Sequence, residues 1–402
     1  MPWTNTVDQR FAFVREVSAP NVNFSAVCRR YGISRTVGYR WRRRFEEGGK
    51  PALEDRTSKP KGNSRAYGPE AVDRVLELRR EYGWGPKKLH KLLLDENELE
   101  RVPVASTIGE ILKRHGVTEP QRRRRRATVR NGGRQLVQSQ APNDLWAIDY
   151  KGEFRLGNRK KCYPLTITDH FSRYVIACVG HPKIEMEAVI EVLESAFRTH
   201  GIPRYVRSDN GSPFGSVGLQ GFSAFSVWLL KHGVCPEHID PAHPEQNGRH
   251  ERMHRTLKRE VARPPQKDMR CQQQAFDAWR KRFNEVRPHE SLGMSTPATV
   301  YESSSRPLGR ARSPSYPGHY EVFRVKKKGH FHWKGTDVFV GAAFSGEPVG
   351  LVEEDDDQWL VYYGDLALGV LDARSLGRTP WLKVSALQPW RPETPEEPRS
   401  RG

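Results

Sequence analysis

Two aspartates stand where a sheet edge would present them. Asp149 falls within the strand-like run LWAIDYKGEF, three residues after Trp146. Asp209 closes a short strand-like run over residues 205–207, immediately before Asn210-Gly211. A turn there would leave the Asp209 carboxylate at the C-terminal edge of a strand, where α/β sheets bind ligands. Carboxylates that converge from rigid elements hold hard divalent ions. A pair of such ions activates an attacking oxygen and stabilises a leaving one, the two demands of phosphodiester transfer. A third acid belongs on a nearby helix. The helical run over residues 246–261 supplies candidates, with Glu245 just before it and Glu251 inside it.

Histidines crowd the same stretch, at His243, His250 and His254. Glu251 followed by His254 has the form of a Glu-x-x-His di-iron ligand pair. The chain holds no second such pair, which sets that chemistry aside. The five cysteines, Cys28, Cys162, Cys178, Cys235 and Cys271, form no Cys-x-x-Cys motif. Neither a zinc ribbon nor a secreted disulfide framework is indicated.

Charge points to the partner. Lys and Arg number 67 against 48 Asp and Glu, a formal net charge of +19. Residues 1–140 hold 30 of those bases and only 16 of the acids. An excess so large and so segregated suits a polyanion. No apolar stretch approaches the roughly 18 residues of a membrane span, and the first ten residues lack a signal-peptide pattern. A cytoplasmic, nucleoid-associated protein is expected, with no membrane partner.

The elements that must position these groups follow from periodicity. Residues 8–18 and 24–31 carry apolar side chains at helical spacing, Phe11, Val14 and Val17 in the first and Phe24, Val27 and Tyr31 in the second. Gly32-Ile33-Ser34 then offers a left-handed turn, a core plug and an N-cap for a third helix, SRTVGYRWRRRF. That pattern predicts a helix-turn-helix DNA-binding domain over residues 1–50. Arg35, Thr36 and Arg40 would face the major groove, with Arg42, Arg43 and Arg44 near phosphates. A linker spans 51–68, and a second helical, helix-turn-helix-like domain spans 69–118. A basic linker follows over 119–140, containing Arg122, Arg123, Arg124, Arg125 and Arg126 in sequence, suited to tracking a phosphate backbone.

From residue 141 the pattern turns to strands. LWAIDYKGEF, KCYPLTITDHF and RYVIACVG predict an antiparallel meander, followed by helices alternating with two further strands. The result is a mixed α/β layer of about five strands. Residues 302–318 read as a linker. The runs YEVFRV, GTDVFVG, PVGLVEE, QWLVYYG and LALGVLD predict a small β-barrel over 319–390, and 391–402 a disordered tail.

The segments AIDYKG, RSDNGSPF and HPEQNGRHERMHRTLKRE together resemble the retroviral-integrase (DDE) core of bacterial insertion-sequence transposases, over residues 141–301. The helix-turn-helix ahead of them resembles a common transposase layout. The resemblance implies a multidomain protein: N-terminal all-α helix-turn-helix domains, an α/β ribonuclease-H-like catalytic core and a C-terminal small β-barrel. It implies an Asp-Asp-Glu triad holding Mg²⁺ or Mn²⁺, two ions per active site. The activity implied is cleavage at transposon ends and strand transfer of the 3′-OH into target DNA. Double-stranded DNA, as terminal inverted repeats and target, is the implied partner of a homo-oligomer.

The family's usual spacing after the second aspartate lands on Glu245. Its glutamate, however, follows the Asn-Gly pair and begins a run like ERMHRTLK, which selects Glu251, 42 positions after Asp209. Helical geometry agrees: Asn247, Glu251 and Lys258 fall near one face at about 100° per residue. Lys258 matches a basic family position suited to holding DNA phosphate beside the metal site. Two other readings share parts of this evidence: a DNA-binding regulator with a non-catalytic core, and a nuclease that only hydrolyses.

Overall fold

The computed structural model describes residues 6–55, 67–118, 136–209, 211–215, 222–240, 243–355, 357–375 and 387–388. The chain divides into two compact units, residues 1–68 and 69–402. Arg122 to Arg126 and the expected tail at 391–402 lie outside the described residues.

The first unit is built from α1 (Thr6–Val17), α2 (Phe24–Arg30) and α3 (Arg35–Gly48), closed by a 3-10 turn at Lys50–Leu53. Ser34 caps α3, its hydroxyl accepting from the Val37 N–H at 3.3 Å. Gly32 takes φ +66°, the left-handed turn that the sequence predicts. Phe13, Val14, Val17, Val27, Cys28 and Leu53 form the core. Phe11, expected inside, is only partly buried, and Phe13 fills the centre instead.

The second unit begins with α4 (Pro69–Tyr82), α5 (Pro86–Glu96) and α6 (Ala105–Arg114), packed around Val75, Leu78, Trp84, Leu89, Leu93 and Ile108. A six-stranded sheet follows, from β1 (Leu145–Tyr150), β2 (Phe154–Arg155), β3 (Lys161–Asp169), β4 (Val175–His181), β5 (Tyr205–Ser208) and β6 (Cys235–His238). The order is β2-β3-β1-β5-β6, with β4 also paired to β3. β1, β3 and β4 form the predicted antiparallel meander, while β5 and β6 run parallel to β1. This is the ribonuclease-H-like arrangement of an integrase core. Helices α7 (Met186–His200), α8 (Ala224–Lys231), α9 (Gly248–Glu260) and α10 (Met269–Glu285) complete it. One sheet face packs Trp146, Ile148, Val206, Leu193 and Phe197; a second cluster of Leu257, Phe276 and Trp279 joins α9 to α10.

The helices of residues 69–114 rest on this core. Arg287 lies 5.3 Å from the Trp84 ring centroid, and the Lys87 ammonium pairs with Glu290 at 2.8 Å. The segment after the core, expected to be a linker, is tied back to it. Ser304 N donates to His200 O, and Arg306 to Pro203 O, both at 2.8 Å.

The C-terminal region holds β7 (Glu321–Arg324), β8 (His330–Trp333), β9 (Thr336–Phe339), β10 (Pro348–Asp355), β11 (Gln358–Tyr363), β12 (Leu366–Asp372) and β13 (Leu387–Gln388). The expected barrel is not closed among the described residues. Instead, a five-stranded open sheet runs β13-β12-β11-β10-β7, and β8 and β9 form a separate hairpin. The hairpin covers the sheet's apolar face rather than extending its ladder. Phe331 stacks on Phe323 at 5.4 Å, and Trp333 meets Trp359 edge-on at 5.1 Å.

Candidate active site

Strand pairing brings the two aspartates together. β1 and β5 pair in register as Leu145 with Tyr205, Trp146 with Val206 and Ala147 with Arg207. Continued by two residues, that register sets Asp209 beside Asp149, on strands about 4.8 Å apart. Asp209 lies just past β5, where its Oδ1 accepts the Gly211 N–H at 3.1 Å. A Cβ on residue 211 would stand 3.1 Å from Asp209 Oδ2. Glycine at that position therefore leaves the carboxylate unobstructed.

The Asp149 carboxyl is pushed up to about 7, first by burial, then by the negative charges of Asp209 and Glu251. Removal of a carboxylate from water and crowding by like charge both favour its protonated form. Three acids thus influence one point at the sheet edge, from β1, the end of β5 and α9.

Helix α9 sorts its residues by face. His250, Met253, His254 and Leu257 are buried against the sheet, while Glu251 and Lys258 are exposed. Asn247 ends the 3-10 turn Pro244–Asn247 that leads into α9. Glu245 lies in that turn, and its side chain is outside the described residues.

The buried histidines form a hydrogen-bonded buttress that spacing did not reveal. Thr166 Oγ1 donates to Asp149 O at 3.1 Å and lies 2.8 Å from His250 Nε2 and 2.7 Å from His254 Nε2. A hydroxyl has one proton and two lone pairs. With its proton on Asp149 O, Thr166 accepts from both imidazoles, so Nε2 carries the hydrogen in each. The Nδ1 of His250 then accepts from Thr168 Oγ1 at 3.0 Å. Both rings are neutral, their protonation suppressed mainly by burial. Among the described residues, Asp149, His250 and His254 form a candidate metal-ligating group. His250 has both nitrogens engaged, whereas His254 Nδ1 keeps its lone pair 3.7 Å from Asp149 Oδ2. The group therefore reduces to Asp149 with His254 at its margin.

Beside this edge, Arg207 pairs with Glu237 at 2.7 Å, both side chains under one-tenth exposed. Arg207 also donates to Val137 O at 2.7 Å, and Glu237 accepts from Val137 N–H at 2.7 Å. Arg207 lies within β5, two residues before Asp209, so the pair fixes the strand end that leads to the second aspartate.

In the first unit, Arg35, Thr36, Arg40, Arg42 and Arg43 are all exposed on α3. Thr36, Tyr39, Arg40, Arg42 and Arg43 line one concave surface. Tyr39, unremarked in sequence, is 51% exposed and stacks on Phe24 at 4.2 Å. Arg44 is half-buried and donates to Glu54 O at 2.5 Å, an intradomain contact.

Several domain models and known proteins are similar to parts of this chain. Integrase core domain models match residues 139–244 and 232–297. Homeodomain-like domain models match residues 4–54 and 37–112, and that of the IS481 family transposase C-terminal domain matches 320–378. An uncharacterized 39.2 kDa protein of insertion element IS476 from Xanthomonas euvesicatoria is 31% identical over 50% of this chain; the match spans 56% of that relative. An uncharacterized 31.7 kDa protein of insertion element IS407 from Burkholderia multivorans is 28% identical over 69% of the chain and 90% of its own length. Among solved structures, the HTLV-2 integrase catalytic core domain in complex with magnesium is 16% identical, covering 41% of this chain and 100% of its own, with a TM-score of 0.33. A chain of the simian T-cell lymphotropic virus intasome in complex with PP2A regulatory subunit B56 gamma is 17% identical, covering 73% of this chain and 94% of its own, with a TM-score of 0.36. An integrase core implies use of a divalent metal, and homeodomain-like domains imply DNA binding. The chain thus carries an integrase core domain, with homeodomain-like domains before it and a domain like the C-terminal one of IS481 family transposases after it, and is similar to proteins of bacterial insertion elements.

Proposed function

We propose that the chain is a DNA transposase that cleaves its element's ends and transfers the 3′-OH into target DNA. Asp149, Asp209 and Glu251 are its catalytic carboxylates. The observation that carries this reading is the β1–β5 register that sets Asp209 beside Asp149, where burial first, and then the charges of Asp209 and Glu251, lift the Asp149 carboxyl to about 7. Such repulsion costs stability unless a cation relieves it.

The donor set fits a hard divalent ion. Three carboxylates from two neighbouring strands and a helix suit Mg²⁺ or Mn²⁺, with two ions per site, better than a softer metal. When bound, such ions supply Lewis acidity toward a phosphodiester and its attacking oxygen. The protein's own residues do the rest. Asp149 releases its proton as the cation binds. Gly211 keeps Asp209 accessible, and the Thr166–His250–His254 network fixes the β1 backbone against α9. Lys258, exposed on the Glu251 side of α9, attracts a DNA phosphate toward the carboxylates. The exposed α3 face, with Arg35, Thr36, Arg40, Arg42 and Arg43, grips terminal-repeat duplex, and a homo-oligomer joins two ends.

The test is product analysis with purified protein, Mg²⁺ and DNA carrying the element's terminal repeats. Joined strands are expected. Nicked ends without any joined product would reduce the activity to hydrolysis.

A further inference from the structure

On the side of α9 away from Glu251 lies a cavity of 430 Å³ that the catalytic reading does not use. Arg249, Arg252 and Thr256 line it from α9, Arg173 from the β3–β4 turn, and Lys88 and Arg287 from α5 and the end of α10. At about 100° per residue, positions 249, 252 and 256 form one flank of α9 and positions 247, 251 and 258 the other. The helix therefore separates this cavity from the carboxylates.

The lining is built and carries excess positive charge. Thr168, Asp169, His170, His250 and Arg287 on its wall are each under one-tenth exposed. Five cations face two acids, and both acids are committed elsewhere. Asp169 accepts from Asn143 N, Ser172 N and Ser172 Oγ, while Glu290 pairs with Lys87. Arg287 is paired with Glu260 at 2.7 Å, but no carboxylate is within ion-pair distance of Arg173, Arg249 or Arg252 among the described residues. Their proximity is felt: the Arg173 guanidinium is pushed down to about 10 by burial and by Arg249 and Arg252. His289, on the same wall, has a buried Nε2 with no hydrogen-bond partner.

We infer that this cavity binds phosphate groups, as a second anion site distinct from the catalytic edge. Guanidinium forks match phosphate oxygens in geometry as well as charge. The volume lies in the range of small-ligand pockets. Phosphate could come from a DNA backbone or from a free phosphorylated small molecule, and the two sources are separable. The inference stands apart from the transposase reading, because none of the three catalytic carboxylates lines the cavity.

The experiment uses the full chain and two probes, inorganic pyrophosphate and a short duplex without terminal repeats, each titrated without divalent metal. Arg252→Ala and Arg252→Glu are the variants, since Arg252 is exposed and its loss leaves the core intact. Far-ultraviolet circular dichroism and Tm in the absence of ligand confirm that each variant is folded. The pyrophosphate-induced rise in Tm of the parent chain should shrink in Arg252→Ala and vanish in Arg252→Glu, with affinity falling about tenfold or more. A parallel loss of duplex affinity assigns the site to DNA; retained duplex affinity assigns it to a free phosphorylated ligand. Pyrophosphate binding that is absent from the parent, or equal in parent and both variants, would overturn the inference.

Discussion

Thr166 lies opposite Asp149 in the β1–β3 ladder, and its single hydroxyl joins the Asp149 backbone to two buried histidines of α9. One residue thereby ties the strand bearing the first aspartate to the helix bearing the glutamate. Thr166→Val keeps the shape and removes the hydroxyl, leaving two imidazole N–H groups unsatisfied in the core. Each such group costs about 1–3 kcal/mol. Urea unfolding should show a midpoint well below the parent's with an unchanged m-value; an equal midpoint would mean that the network contributes nothing.

The raised Asp149 carboxyl gives a signed pH dependence. Its folded pKa, about 7, exceeds the unfolded value of 3.8. In the metal-free protein the associated stability is fully present below the unfolded value and is lost as pH rises through about 7. Metal binding runs the other way, because the cation must displace that proton. Divalent-ion affinity should climb as pH rises toward about 7 and level off above it. Calorimetric titration with Mn²⁺ across that window tests the slope. Asp149→Asn should flatten the pH dependence of metal-free stability.

Arg207 and Glu237 offer a separate test of the scaffold. Breaking a buried ion pair by removing one partner costs about 3–5 kcal/mol, because the other charge is stranded. Glu237→Ala should therefore lower stability severely in denaturant unfolding. Replacing both together, as Arg207→Met with Glu237→Leu, should restore much of the loss. A double variant as unstable as the single one would contradict this account.

For the first unit, Arg40→Ala and Arg43→Ala should each weaken duplex binding. Where the lost contact is to phosphate, the slope of log affinity against log salt should fall by about one. Arg44→Ala should lower stability instead, through its bond to Glu54 O. A fluorescence-anisotropy salt series separates the two effects.

Much of this arrangement was readable in the chain because its signals are local. Ser34 after Gly32 announces a capped helix, and the β-branched and aromatic residues of LWAIDY and KCYPLTITD, bounded by polar turns, announce paired strands. Asp209 before Asn210-Gly211 announces a strand end. The supporting shell was not readable. Thr166, His250 and His254 meet across more than 80 positions of sequence, and Arg207 meets Glu237 across 30. No window-based pattern spans such separations. The C-terminal region failed differently. The run HFHW alternates polar and apolar residues as an edge strand should, yet its short length hid β8 within a glycine-punctuated stretch. Without β8, five strands suggested closure; with it, a hairpin stacks over an open sheet.

The central claim is that Glu251, and not Glu245, completes the site with Asp149 and Asp209. Strand joining by Glu251→Gln and Glu245→Gln proteins, with Mg²⁺ and terminal-repeat DNA, tests it most directly. Glu251→Gln should lose about a thousandfold or more in joining rate while binding DNA like the parent, and Glu245→Gln should join near the parental rate. Parental joining by Glu251→Gln would contradict the account.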